Sequence, residues 1–317
     1  MDLNEEIRKG YTISSKMKKV WAVQMELLKK LLEVCEKYHL RIWADGGTLL
    51  GTVREHGYIP WDDDIDMAML RKDYDKLLEI AQKEFLPPYH FQSGHTDKNF
   101  TLGHAHLRKD NTAAIVDKCD VFEDYHQGIF IDIFVYDEIP DEEEDLAFFL
   151  QQIEKKKTLL KRYCDYHFSF LHPIFSIKTF FSILPLKKIG FFQAFKDYDQ
   201  LLKGEKGNYV ACVGFSLDTN IFRRKKDLYE KTVLMPFEDI MMPVPNGYDV
   251  ILKTQYGNYM KPVKTPSYHG QFVVLDPDKS YESYLPQLRK DVRKERRLAI
   301  YFKVRSLIGK IFHLGNH

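Results

Sequence analysis

The stretch Trp43–Met69, WADGGTLLGTVREHGYIPWDDDIDMAM, decides the reading of this chain, because it joins a Gly-Gly turn to an apolar strand bearing alternating aspartates. Asp64 and Asp66 flank Ile65, and since side chains of a strand alternate between faces, both carboxylates are expected on one side. Carboxylates held side by side repel unless a cation lies between them. Hard oxygen donors suit Mg2+, which binds through one or two carboxylates plus substrate phosphates, with Mn2+ as the alternative. Metal-assisted phosphate chemistry is therefore the first expectation. A merely solvated acidic turn seldom continues straight into an alternating stretch such as IDMAML. An EF-hand loop is excluded as well: Met67 stands where that loop needs Gly, and Asp73 where it needs Glu.

Ahead of the acids, Arg41–Ala44 reads as a short strand, Gly46-Gly47 as a turn and Thr48–Glu55 as a helix. Glycines let backbone N–H groups approach a ligand, and the helix start favours an anion, so Gly46, Gly47 and Thr48 are candidates for a nucleotide phosphate. Arg54, one and a half turns into the helix, could reach the same phosphate or stand solvated at the surface. Trp61 and Met67 are the apolar flanks of the acids. Further on, GIFIDIF (128–134) is strongly β-prone with a single acid, Asp132. An unpaired charge there is costly to bury, so Asp132 is expected to meet a metal or a basic partner. His104-Ala105-His106 would present two imidazoles on one strand face, but no third His or Cys has clear spacing for zinc.

The segment resembles the nucleotidyltransferase superfamily, and specifically the LicD-type phosphotransferases, whose pattern fukutin-related ribitol-phosphate transferases share. The resemblance is close over roughly residues 40 to 136 and looser beyond. It implies an α+β fold: a nucleotidyltransferase-like mixed β-sheet core flanked by helices. It also implies that Asp64, Asp66 and Asp132 are the catalytic, Mg2+-holding residues, and that Gly46, Gly47, Thr48, Arg54 and Trp61 lie at the substrate. Asp137 would belong to a turn after the Asp132 strand, DEIPD (137–141). Arg108, in LRKDNT (107–112), resembles the family's basic-Asn-Thr motif and is the expected phosphate contact; members often carry a lysine near His106, so the basic group there departs from the pattern. The run from Met235 to Met260 resembles the family's strand pair and helix ending in a Tyr-Gly turn, and His269 falls where members often have a histidine, as an acid/base or phosphate contact.

The function so implied is transfer of a phosphorylated alcohol from a CDP-activated donor, with phosphocholine from CDP-choline as the best-known case. The acceptor would be a glycan or lipid-linked glycan: teichoic acid, lipopolysaccharide or a capsule precursor. Two alternatives use the same residues. One is a nucleotidyltransferase moving NMP from an NTP to a small phosphorylated alcohol or a protein; the other is a non-catalytic glycan- or lipid-binding scaffold.

At 317 residues and 44% hydrophobic content the chain can bury a large core, and a net charge of +1 gives no reason to expect nucleic acid. The four cysteines form no CxxC pair, which suits a reducing compartment. The start, MDLNEEIRKG, lacks the apolar core of an export signal, and no run approaches the roughly 18 apolar residues of a spanning helix. The organisation expected is a catalytic core over 1–160, a helical aromatic-rich insertion over 161–209, the rest of the catalytic unit over 210–280, and a basic amphipathic tail over 281–317. The run 168–195, interrupted at Pro173 and Pro185, is suited either to the headgroup plane of a membrane or to a lid packed on the core. The basic-apolar tail offers the same choice. A cytoplasmic protein, peripheral on the inner face of the cytoplasmic membrane, is expected.

Overall fold

A hairpin that no periodicity announces opens the chain, β1 (Glu6–Arg8) and β2 (Tyr11–Ile13), turned at Lys9-Gly10, where Gly10 takes φ +76°. Helix α1 (Ser15–Lys37) starts at Ser14, whose hydroxyl accepts the Met17 N–H, and buries Val20, Trp21, Leu27, Leu28, Leu31 and Val34. Then follow β3 (Trp43–Ala44), α2 (Gly46–Glu55), β4 (Asp66–Leu70) and α3 (Arg71–Glu84). Next are β5 (Tyr89–Gln92), β6 (Ala105–Lys109), β7 (Ala113–Ile115) and β8 (Phe130–Ile139). Three helices come next: α4 (Glu143–Cys164), α5 (Pro173–Ile189) and α6 (Phe191–Leu202). The chain continues through β9 (Tyr209–Ala211), α7 (Thr219–Phe222), β10 (Arg224–Lys225), β11 (Thr232–Phe237) and β12 (Ile240–Pro245). It finishes with α8 (Tyr248–Tyr256), β13 (Val274–Asp276) and α9 (Leu285–Leu314). This computed structural model describes residues 1–169, 172–204, 207–263 and 272–314.

Seven strands form one mixed sheet around β8, in line with the α+β expectation. One edge of β8 pairs with β4 in parallel, and β3 lies antiparallel beyond β4. The other edge takes β6, with β5 beyond it, over the first half of β8, and β9, with β10 beyond it, over the second. Registration lines up one residue per strand: Gln92 faces His106, His106 faces Asp132, and Asp132 faces Asp66. Cross-strand partners project to the same face, so these four side chains make a polar row across an otherwise apolar sheet.

The main core packs α1, α2 and α3 against this sheet, and a second cluster gathers Leu146, Phe149, Ile153, Phe195 and Tyr198 from α4 and α6 around Ile139 of β8. Two expectations change here. Asp137 is no turn residue: β8 runs on to Ile139 because β9 pairs with Asp137–Ile139, and Asp137, fully buried, is bonded by Arg71 at 2.5 and 2.9 Å. Helix α5 is not broken at Pro185 but continues through it, with Pro173 in its first turn. One side of the α5–α6 unit buries Ile183, Leu186 and Phe191, while Ile174, Phe175 and Phe181 stand 70, 66 and 65% exposed.

Candidate active site

The Asp-x-Asp segment enters its strand two residues later than the sequence suggests. Strand β4 begins at Asp66, and Asp62–Ile65 form the approach to it, held to the sheet by the Asp132 N–H on the Ile65 carbonyl at 2.9 Å. Asp66 is fixed through its backbone: its N–H donates to Thr48 Oγ1 at 2.8 Å, and its carbonyl accepts the Asp45 N–H at 2.9 Å. Thr48 therefore positions an acid from within.

The glycine pair has a steric reason. A Cβ on Gly46 would stand 2.5 Å from Asp66 Oδ2, and one on Gly47 would stand 2.5 Å from Asp62 Oδ2. Gly46 also holds φ +50°, which glycine adopts without strain. The two carboxylates thus lie directly against the start of α2. Asp45, the residue before that helix, makes no side-chain cap; its carboxylate takes Arg224 at 2.7 Å and the Tyr136 hydroxyl at 2.7 Å. The first N–H groups of α2 are accordingly not capped by it.

Burial pushes the Asp66 carboxyl well above the usual range, and the charges of Asp64, Asp132, Asp62 and Asp45 push it further. Burial and Asp64 raise Asp62 in the same way. Such crowding fits a divalent cation, which would offset the repulsion. Asp132 behaves oppositely. Burial raises it, but the imidazoles of His106 and His104 outweigh that and hold its carboxyl below the usual range. Their Nε2 atoms stand 2.9 and 3.2 Å from Asp132 Oδ1. Burial lowers the His106 imidazole to about 4.

Two residues named as phosphate contacts are turned inward instead. Arg54 donates to Glu55 at 2.6 Å and to the Tyr259 carbonyl at 2.9 Å, with its side chain 5% exposed. Arg108 donates to Gln92 Oε1 at 2.5 Å, to the Gly128 carbonyl at 2.6 Å and to His106 Nδ1 at 3.0 Å. Arg54 thus spends its Nε and Nη1, and Arg108 a bond from each of its three nitrogens, on partners within the protein. Trp61 is half-buried, with Tyr11 edge-on at 6.2 Å. His269 lies outside the described residues.

Sequence reasoning missed three contributors. Asp62 lies outside the Asp64–Asp66 pair that the sequence singles out, yet its carboxylate lies against Gly47. Arg224 comes 179 residues after its partner Asp45, beyond any local pattern. Tyr256, 40% exposed at the end of α8, has its phenol raised by burial and then by the charges of Asp66, Asp45 and Asp62. The DxD spacing and the Tyr-Gly turn were the available signals for the first and last.

Residues 39–180 match the family model described as LicD/FKTN/FKRP, nucleotidyltransferase domain. The chain is similar to the lipopolysaccharide cholinephosphotransferase LicD of Haemophilus influenzae, 24% identical over 259 residues that cover 75% of this chain and 89% of that protein. A shorter stretch of 95 residues is 37% identical to an uncharacterized protein of Rickettsia prowazekii, covering 30% of this chain and 32% of that one. Over residues 39–180, then, the chain resembles the LicD/FKTN/FKRP nucleotidyltransferase domains, and it is similar to LicD over most of its length.

Proposed function

We propose that the protein is a Mg2+-dependent transferase that moves a phosphorylated alcohol, phosphocholine from CDP-choline first among them, to a hydroxyl of a cell-surface glycan precursor such as lipopolysaccharide, teichoic acid or capsule. The observation that carries this is the placing of Asp62 and Asp66 against the glycine opening of α2, with Asp132 registered opposite Asp66, in a chain similar to a Haemophilus protein named for cholinephosphate transfer to lipopolysaccharide. Asp64, Asp66 and Asp132 are the residues that would hold Mg2+ or Mn2+, which neutralises charge on the diphosphate as CMP departs. The N–H groups at the start of α2 favour a donor phosphate. The acceptor hydroxyl oxygen attacks the phosphorus bearing the alcohol, the bond from that phosphorus to CMP breaks, and the hydroxyl proton passes to an aspartate. Asp62, its carboxyl raised by burial and Asp64, suits that last role.

The test is incubation with Mg2+, a panel of CDP-alcohols and nucleoside triphosphates, and a lipid-linked glycan extract. CMP release that depends on one CDP-alcohol is expected. Pyrophosphate release from a triphosphate would replace this reading with nucleotidyl transfer. Silence throughout, with no thermal stabilisation by Mg2+ or Mn2+, would favour the scaffold.

A lipid-linked acceptor would be met at a membrane surface. Helix α5 exposes Ile174, Phe175 and Phe181, and α9 exposes Leu298, Ile300 and Phe302 beside Arg293, Lys294, Arg296 and Arg297. Lys303 Nζ, 3.0 Å from His172 Nε2, ties the two helices together. No helix among the described residues is long and apolar enough to cross a membrane. Vesicles containing anionic lipid should therefore bind the protein peripherally, with Arg296→Gln and Arg297→Gln each costing about 1 kcal/mol of affinity at low salt. Cosedimentation unchanged in the double variant carrying also Phe175→Ser and Phe181→Ser would sink this part of the proposal.

A further inference from the structure

The two imidazoles beside Asp132 have had no part in the chemistry so far. We propose that His104 and His106 are positioning residues for Asp132: each donates its Nε2–H to the same carboxylate oxygen, Oδ1, which fixes the rotation of the carboxylate and leaves Oδ2 to a cation. This rests on the reading of Asp132 as a metal-holding acid.

The argument begins at Arg108. A guanidinium has donors only, so its bond to His106 Nδ1 at 3.0 Å makes Nδ1 the lone-pair nitrogen, and the proton of the neutral ring must sit on Nε2. Arg108 has little freedom to turn. Gln92 Oε1 and the Gly128 carbonyl hold its other nitrogens, and its plane lies 4.5 Å from the centre of the Phe130 ring. His106 stacks on that same ring at 4.4 Å, with Phe100 edge-on at 5.0 Å. Its Nε2–H is thereby aimed at Asp132 Oδ1, 2.9 Å away. His104 comes from the residue before β6, packs against Phe134 at 4.8 Å, and reaches the same oxygen at 3.2 Å. Its buried Nδ1 has no hydrogen-bond partner, as the bare nitrogen of an Nε2–H ring.

Three donor atoms of His104, His106 and Asp132 lie within 4.8 Å of one another, close enough to hold a transition metal. The tautomer speaks against it. A metal on His106 Nε2 moves the ring proton to Nδ1, where a metal-bound histidine ordinarily donates to an acceptor, and here it would meet the N–H of Arg108. The triad is therefore a carboxylate holder and not a second metal centre.

Substituting the ring by an amide separates the alternatives, because the Gln nitrogen reaches the place of Nε2 and the Asn nitrogen that of Nδ1. Mn2+ affinity of the full-length protein is measured by titration for wild type, His106→Gln, His106→Asn and His104→Gln, with near-ultraviolet circular dichroism to establish folding. His106→Gln and His104→Gln should stay within about threefold of wild type, and His106→Asn should lose about 10–100-fold, the usual effect of removing a partner that orients a ligand. Equal affinity in the Asn and Gln variants, whether both normal or both lost, overturns the proposal. So does zinc that copurifies stoichiometrically and disappears in both. Should His106→Asn fail to fold, the pair His104→Gln and His104→Leu decides in the same way. A wild type that binds no Mn2+ overturns the reading of the acids and the positioning role with it, whereas normal Mn2+ binding without any transfer activity overturns the transferase alone.

Discussion

Asp66→Asn is expected to abolish transfer while making the metal-free protein more stable. The substitution keeps the shape of the side chain and the backbone bond to Thr48, and removes one charge from among Asp62, Asp64, Asp132 and Asp45. Loss of a metal-holding carboxylate should cost several kcal/mol of transition-state stabilisation, a fall of about a thousandfold in kcat/KM. Relief of repulsion should add about 1 kcal/mol of stability in EDTA. The sign of the pH dependence follows from the direction of the shift. An acid raised in the folded state binds its proton more tightly there than in the unfolded chain, so its contribution is complete at low pH and is lost as pH rises through the raised value. Metal-free wild type should thus lose stability on going upward from the ordinary carboxylate range, and Asp66→Asn should lose less. Thermal unfolding in EDTA across pH, repeated with Mg2+, reads both effects. An active Asp66→Asn protein, or one that melts below wild type in EDTA, would refute the account.

Arg71→Met should be the most damaging substitution outside the site. Arg71, at the start of α3, bonds Asp137 on β8 at 2.5 and 2.9 Å and Asp199 on α6 at 2.9 Å, and so ties the main core to the helical cluster. Its removal leaves the buried Asp137 without its cation and takes one partner from Asp199, which keeps His95 at 3.1 Å and Lys203 at 3.8 Å, at a cost of about 3–5 kcal/mol. That approaches the whole stability of many domains. Burial raises Asp137 to about 6 even with Arg71 beside it. Without the arginine it should take up a proton more readily still, so the deficit in urea unfolding should shrink at pH 5 relative to pH 8. Adding Asp137→Asn to Arg71→Met should recover part of the loss at pH 8. A single variant within about 1 kcal/mol of wild type, or a double variant worse than the single, would show that the network is not what joins the two cores.

What the sequence discloses here is what local chemistry dictates. The helix that begins at the glycine pair and the strand that follows at Asp66 are legible from spacing, and Asp132 declares itself as a lone charge in an apolar strand. The resemblance to the LicD/FKTN/FKRP domains likewise lies in one contiguous segment. What stays hidden depends on pairing between distant residues. Asp137 looks like a turn residue in DEIPD until β9, some seventy residues later, extends the strand past it. Arg54 and Arg108 look available because a basic residue near a phosphate motif invites that reading, but Glu55, the Tyr259 carbonyl, Gln92 and the Gly128 carbonyl claim them. The two histidines of HAH were weighed only as zinc ligands, since nothing local indicates that Arg108, on the same strand face as His106, fixes the proton of that ring.

The row Gln92–His106–Asp132–Asp66 draws one residue from each of four neighbouring strands, and this divides the chain into parts that tolerate changes of length and parts that do not. A single insertion within β6 or β8 reverses which face every later residue of that strand presents and dismantles the row. Insertions between the strands, as in the twelve residues 93–104 that separate β5 from β6, leave it whole. Descendants of this fold can therefore exchange whole loops, and with them the surface that surrounds the acids, while the parity of four short strands is inherited unaltered.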